Sequence, residues 1–403
     1  MMKYMQSMNV IWKKHSGNHL MINNMKNRNG KKIRYRLIAA LILFGGSLVL
    51  SVASSWIQGF ASWHAVHIYP FLVSTIGRIS GFFSFSLCEI LLYLLVISLI
   101  FTFIQAVRKT RRLLWQQKEK TCFSDSDMNN EKASVWMVSW FSGVLLGAGI
   151  LIFLYVICCG INYKRTSFSE ESGLMPMEYS AEELKEICIQ LTEKLNELSD
   201  KVARDENGIM ILSGQADEKA ISAMTSLGEE YDVLSGYYPR PKQLIISELL
   251  SYQGLSGIYL PFTVEANYNG DMIPYNIPFT ACHELSHLRG FMQEDEANFI
   301  AFLACIHDED LDFQYSGYML GWTYCMNALY RMDHELWSEV WVLLDEVIET
   351  DLLANNEFWD RYEGVISEVS NQMNDLYLKA NGESEGVQSY SRIVELIVAY
   401  YNN

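Results

Sequence analysis

Three long apolar stretches, Leu37 to Ile57, Ile90 to Val107 and Val135 to Ile161, constrain this chain more than anything else in it. As a helix, each is long enough to cross roughly 30 Å of hydrocarbon, so residues 37–161 are expected to form a three-helix transmembrane region. A cleaved secretory leader fits the first stretch poorly. It is preceded by 36 residues, no small-residue cleavage site stands out, and two more stretches follow.

Positive charge sets the expected orientation. Lys13, Lys14, Lys26, Arg28, Lys31, Lys32, Arg34 and Arg36 precede the first stretch, and Arg108, Lys109, Arg111, Arg112, Lys118 and Lys120 follow the second. The loop between them carries one basic residue, Arg78. The basic tail 1–36 and the loop 108–134 are therefore expected in the cytoplasm, and a domain spanning 162–403 outside it. Trp56, Trp63, Trp136 and Trp140 stand at or near the stretch ends, where an indole sits well at the headgroup boundary.

Charge also separates the two halves. Of 31 basic and 47 acidic residues, 17 and five respectively precede Gly160, giving +12 before it and −28 after. An acidic outer half excludes general nucleic-acid binding, because phosphate contacts need a basic face. The apolar centres hold no Asp, Lys or His, and Glu89 stands only at the start of the second, so an ion-coupled transport pathway is not expected. His64 and His67 could share a helical face and bind metal, but read more simply as interfacial residues. The eight cysteines form no CxxC pair. Cys158 and Cys159 read as packing or lipid-facing residues, and Cys282, Cys305 and Cys325 as buried thiols.

The outer half reads mainly as helix. Ser180 with Glu183 makes a capping box, followed by Leu184, Ile187, Cys188, Leu191, Leu195 and Leu198 at helical spacing. A second helix is expected from Ala216 to Leu234. Gly257 to Asn267 is rich in β-branched and aromatic residues, and Asn269-Gly270 is a tight-turn dipeptide. That combination predicts a hairpin returning through Ile273 to Ile277, confined to a sheet edge by Pro261 and Pro274. Further helices are expected near Phe279 to Leu288, Glu294 to Cys305, Gln314 to Met332, Glu335 to Glu349, Glu357 to Lys379 and Tyr390 to Tyr401, with a linker-like tract at Asn381 to Gln388.

One motif carries chemistry. Cys282-His-Glu-Leu-Ser-His-Leu-Arg-Gly290 contains HExxH at His283, Glu284 and His287. Residues four apart share a helix face, so both imidazoles can bind one Zn²⁺ while Glu284 serves as general base and acid toward an activated water. Gly290 is a suitable helix terminator. His334-Glu335 is followed by Ser338, not a second histidine, and is set aside. A catalytic zinc needs a third protein ligand, and Glu294 and Glu296 both follow the motif; Gln293 stands where the longer HExxHxxGxxH spacing would need histidine.

Glu296-Ala297-Asn298 resembles the Glu-Ala-Asp or Glu-Ala-Asn segment from which gluzincin-type metallopeptidases supply a glutamate ligand. This resemblance favours Glu296 over Glu294 as the third ligand. It also implies an outer-shell role for Asn298 at a ligand histidine, against the alternative of a capping or surface residue. The layout of three spans, an outer helical domain, GIYLPFT before the motif and HELSHLRGFMQEDEANF around it resembles an uncharacterised family of bacterial membrane proteins carrying HExxH. The resemblance implies a mainly α protein whose extracytoplasmic domain is an α-rich zincin-like (α+β) fold with a small edge-strand hairpin.

The expected function is that of a membrane-anchored zinc metallopeptidase acting on a peptide or protein, with Zn²⁺ as cofactor. In it the Gly257 to Asn267 segment can pair with substrate backbone. Tyr315, Tyr318, Tyr324 and Arg331 are conceivable oxyanion donors, although an aromatic stripe on a long helix is usually core. The alternative is a non-catalytic surface sensor or binding protein on the same fold.

Overall fold

A computed structural model of the chain describes residues 30–119, 123–381 and 392–402. Most of the basic tail, including Lys13, Lys14, Lys26 and Arg28, lies outside the described residues, as do Lys120 and the linker-like tract beyond Asn381. The described chain is mainly helical, with one three-stranded sheet.

Three helices are long and apolar enough to cross a membrane: Gly30–Trp56, Leu87–Arg108 and Trp136–Lys164. They match the three expected stretches, stopping one residue short at Ile57 and at Val135 and extending the other ends by up to seven residues. The chain divides into two compact units, one made of 1–49 and 91–154, the other of 50–90 and 155–403. In the first, Arg36 donates to the Ser139 carbonyl at 3.0 Å and the Trp140 indole to Thr102 at 3.2 Å. Its helices leave Leu41, Ile42 and Leu48 exposed, as lipid-facing side chains would be.

The second unit differs from the expected 162–403 domain by taking in the segment between the first two spans. Residues 60–81 are helical in short pieces, not an open loop. Tyr69 is buried there, and its hydroxyl is 2.9 Å from the Tyr259 hydroxyl and donates to the Leu288 carbonyl at 2.9 Å. Nothing in local spacing announces these contacts, because the partners lie 190 and 219 positions away.

The capping box at Ser180 and Glu183 is formed, and the helix Ala181–Ser199 buries Leu184, Ile187, Cys188, Leu191, Leu195 and Leu198. The next helix, Ala216–Glu230, ends earlier than expected, and a short 3₁₀ turn covers Asp232–Leu234. The expected helix 335–349 is two, His334–Trp341 and Glu346–Asp360, and the expected 357–379 run is broken after Asp360, with Val365–Asn381 following.

The sheet corrects the expected hairpin. Strands β1 (Lys242–Gln243), β2 (Gly257–Leu260) and β3 (Glu265–Tyr268) are ordered β1-β3-β2, with β3 parallel to β1 and antiparallel to β2. The chain turns at 261–264, where Pro261 ends pairing and Val264 takes a left-handed φ of 53°. Asn269-Gly270 makes no hairpin turn. The Asn269 side chain is buried, donates to Ser251 Oγ and accepts from Asp271 N, so it leads the chain out of the sheet toward the helix Asn276–Leu288.

A buried ion pair ties this sheet to the second span. Lys242 Nζ lies 2.5 Å from Glu265 Oε1, both about 1% exposed. The Glu265 carboxylate also accepts from the backbone N–H of Leu87 and Cys88, the first two residues of the second-span helix. A carboxylate satisfies orphan donors at a helix start and complements its dipole. Two residues on, Glu89 accepts from Ile245 N and Ile246 N.

Candidate metal centre

HExxH lies on the helix Asn276–Leu288, hereafter the motif helix, which buries nearly all of its residues. A Schellman closure ends it: Phe291 N–H donates to Ser286 O at 3.1 Å, Gly290 N–H donates to His287 O at 2.9 Å, and Gly290 has φ +99°. A side chain at Gly290 would be strained by that φ and would press on Asn162, Arg165 and Tyr69. The reversal carries the chain directly into the return helix Glu294–Ile306, which packs against the motif helix.

His283, His287 and Glu294 converge there, with one donor atom from each lying within 4.8 Å of the others. Glu294 Oε2 is 3.3 Å from His283 Nε2, and Glu294 Oε1 is 3.7 Å from His287 Nε2. The imidazole centroids are 4.5 Å apart and nearly perpendicular. The three side chains keep 10–16% of their surface exposed, so the cluster is recessed but reachable.

The structure brings Glu294 to the histidines, not Glu296, the residue the resemblance favoured. Two residues along a helix are about 200° apart, so the two carboxylates occupy opposite sides of the return helix. Glu296 is fully buried and accepts from Ser169 N at 2.9 Å and Ser169 Oγ at 2.6 Å. Its partner Ser169 lies more than 100 residues upstream, which is why no local spacing revealed it.

Glu284 stands beside the cluster on the motif helix. A Cβ built on Gly257, the first residue of β2, would fall 2.4 Å from Glu284 Oε1, so only glycine lets strand and carboxyl approach this closely. Glu284 Oε2 is buried without a hydrogen-bond partner. Burial pushes this carboxyl up to about 8, with the Glu294 charge adding to the effect and His283 opposing it.

The two histidines differ. His287 Nδ1 lies 2.8 Å from the Phe291 carbonyl, which accepts a hydrogen bond from Nδ1–H and leaves Nε2 as the basic nitrogen facing Glu294. Burial and the neighbouring His283 lower His287 to about 4. Burial works against a charge on His283, but Glu294, Glu284 and Asn298 outweigh it and raise its pKa. Asn298 thus neighbours His283, although His283 Nδ1 and Asn298 Nδ2 are both buried without a hydrogen-bond partner.

Of the four conceivable oxyanion donors, Tyr324 lies near the cluster, where burial and the Glu294 charge push its hydroxyl up. Tyr315 donates to Asp351 at 2.5 Å and accepts from Arg204, in another part of the unit. Tyr318 neighbours Glu197, and Arg331 neighbours Tyr179. Cys282, Cys305 and Cys325 are buried free thiols. His64 is buried and His67 exposed, and neither joins a metal-type cluster among the described residues.

Sequence reasoning missed the residues that set the reversal in place. Arg165 stacks its guanidinium 3.8 Å from the Phe291 ring centroid and pairs with Glu171 at 3.1 Å. Met292 Sδ is 3.6 Å from Cys159 Sγ, and Gln293 donates to the Tyr163 carbonyl at 3.3 Å. The residues just before Glu294 are thereby anchored to the end of the third span.

Two imidazole nitrogens and one carboxylate are the donor types of an open His₂Glu zinc site, and a buried carboxyl beside them is suited to proton transfer. No curated protein and no solved structure matches the chain. The model of a family described as a protein of unknown function, DUF3810, matches residues 64–398, and the chain belongs to that family.

Proposed function

We propose that this protein is a membrane-anchored, zinc-dependent metallopeptidase hydrolysing peptide bonds of an extracytoplasmic peptide or protein. The observation that carries this reading is the convergence of His283, His287 and Glu294 within 4.8 Å. The unpartnered Oε2 of Glu284 and the single backbone hydrogen bond fixing His287 fit the same reading. The excess of Lys and Arg before the first span and after the second favours an outer location for the acidic half.

Bound at His283, His287 and Glu294, zinc supplies Lewis-acid polarisation of a carbonyl and makes an attacking water easier to deprotonate. Glu284 takes that proton and passes it to the leaving amine. Strand β2, at the sheet edge with Gly257 against Glu284, binds the substrate backbone by strand addition. Tyr324, beside Glu294, steadies the oxyanion.

The test is zinc stoichiometry and peptide-library hydrolysis on the detergent-solubilised full chain. One equivalent of zinc is expected in wild type, in Glu284→Gln and in Glu296→Ala, and none in Glu294→Ala. Hydrolysis should fall by about 10²–10⁴-fold in Glu284→Gln. Undiminished turnover in that variant overturns the mechanism. Folded wild type without zinc leaves a non-catalytic binding protein as the reading.

A further inference from the structure

The helix Val365–Asn381 has an apolar stripe that no part of the described chain covers. Val365, Ile366, Val369, Met373 and Leu376 are all exposed, Val365 by 75% and Leu376 by 67%. At 100° per residue they fall within an arc of about 100°. Leu378 is buried on a different side, against the protein. Asn371, Asp375, Glu368, Lys379 and Gln372 lie between Leu378 and the stripe, with Asn371 furthest from the stripe and Gln372 bordering it, so the helix has separate packed, apolar and polar faces.

One end of this helix is fixed at a span end, and the other is linked to a second through a short helix. At its C-terminus, Tyr155 donates to the Asn381 side chain at 2.8 Å and Lys164 to the Asn381 carbonyl at 2.6 Å, while the Tyr377 ring packs edge-on against Tyr155 and Tyr163. Those partners belong to the end of the third span. Toward its N-terminus it packs on the short helix Glu248–Gln253. Just ahead of that short helix, Ile245 and Ile246 are held by Glu89 at the start of the second span.

Consecutive spans alternate in direction, so the start of the second and the end of the third emerge on one side of a bilayer. A 17-residue helix about 25 Å long, tied at its C-terminal end to one of these points and linked to the other through Glu248–Gln253, runs along that surface. From this we infer that Val365–Asn381 is an in-plane interfacial helix, its apolar stripe seated in the boundary of the lipid bilayer that the spans cross. The exposed Ile245, Ile246 and Leu249 extend the same apolar surface toward the second span.

The inference stands on the spans and the stripe alone. Joined to the metallopeptidase reading, it names the substrate class: polypeptides held at or near the bilayer surface, because the residues before Glu294 are anchored to the same third-span end.

The experiment needs neither metal nor substrate, so its failure is separate from failure of the hydrolase reading. The full chain carrying Cys122→Ser is given a single new cysteine at Val369, Met373 or, on the polar face, Asn371. Each is labelled with bimane and reconstituted in phosphatidylcholine vesicles containing lipid nitroxide-labelled near the headgroup. The remaining native cysteines are buried, and the Cys122→Ser parent labelled in parallel gives the background. Severalfold stronger quenching at positions 369 and 373 than at 371 is expected. Equal quenching at all three, or none at 369 and 373, overturns the inference, whether water or another protein surface covers the stripe. Leu376→Cys replaces either apolar position if that variant fails to reconstitute, and reads out in the same way.

Discussion

Glu284 is held where a charge is costly, and this gives the metal-free protein a distinctive pH response. Its carboxyl is raised to about 8 by burial, against about 4.5 when unfolded. The native state therefore holds the proton more tightly than the unfolded state, and Glu284 makes folding progressively less favourable as pH rises from about 4.5 to 8. Glu284→Gln cannot ionise. The melting temperature of the metal-free variant should exceed that of metal-free wild type by a margin that grows across this range and levels off above it, as thermal melts at stepped pH would read. His287, lowered to about 4, acts in the opposite sense, its stability contribution being lost as pH falls from 6.5 toward 4. The same crowding makes Gly257 sensitive: Gly257→Ala would drive a methyl into Glu284, and a cost of about 1–3 kcal/mol is expected in denaturant titrations. His283, Glu284 and His287 were legible in the sequence because their relation is local, set by one turn of helix. Gly257 was legible only as part of a strand, since its closeness to Glu284 is a tertiary fact.

Among elements, the phase of the return helix decides which carboxylate meets the two histidines. That helix begins at Glu294, so Glu294 meets the histidines and Glu296 turns to Ser169. The sequence showed both carboxylates and the glycine that ends the motif helix, but helical phase across a reversal depends on where the next helix starts. Glu296→Ala should leave the metal stoichiometry unchanged yet cost about 1–3 kcal/mol, because Ser169 N–H and Oγ would lose their buried acceptor. Equilibrium unfolding alongside metal analysis would separate the two roles. The capped helix at Ser180 was legible because its whole signal is local. The hairpin was misplaced because Asn269-Gly270 carries a turn signal that the fold spends on side-chain hydrogen bonds, while the real turn sits at the less conspicuous 261–264.

At the scale of the molecule, the spans could be read directly from the sequence, but the extent of the unit that holds the metal-type cluster could not. Residues 50–90 belong to it, through Tyr69 at the motif helix, the Glu265 carboxylate at Leu87 and Cys88, and Lys242 at the Ser80 carbonyl. A fragment confined to 162–403 would strip these partners away and leave the Lys242–Glu265 pair incompletely satisfied. Such a fragment should lack a cooperative thermal transition by circular dichroism, where the full chain shows one. The discontinuity also bears on how the protein is made. The two pieces of this unit are separated by the remainder of two membrane crossings, so they can meet only if the intervening chain has been threaded out and back correctly. A molecule left uninserted in the compartment of its synthesis would keep the pieces apart, so on the proposed hydrolase reading insertion itself would guard against premature activity.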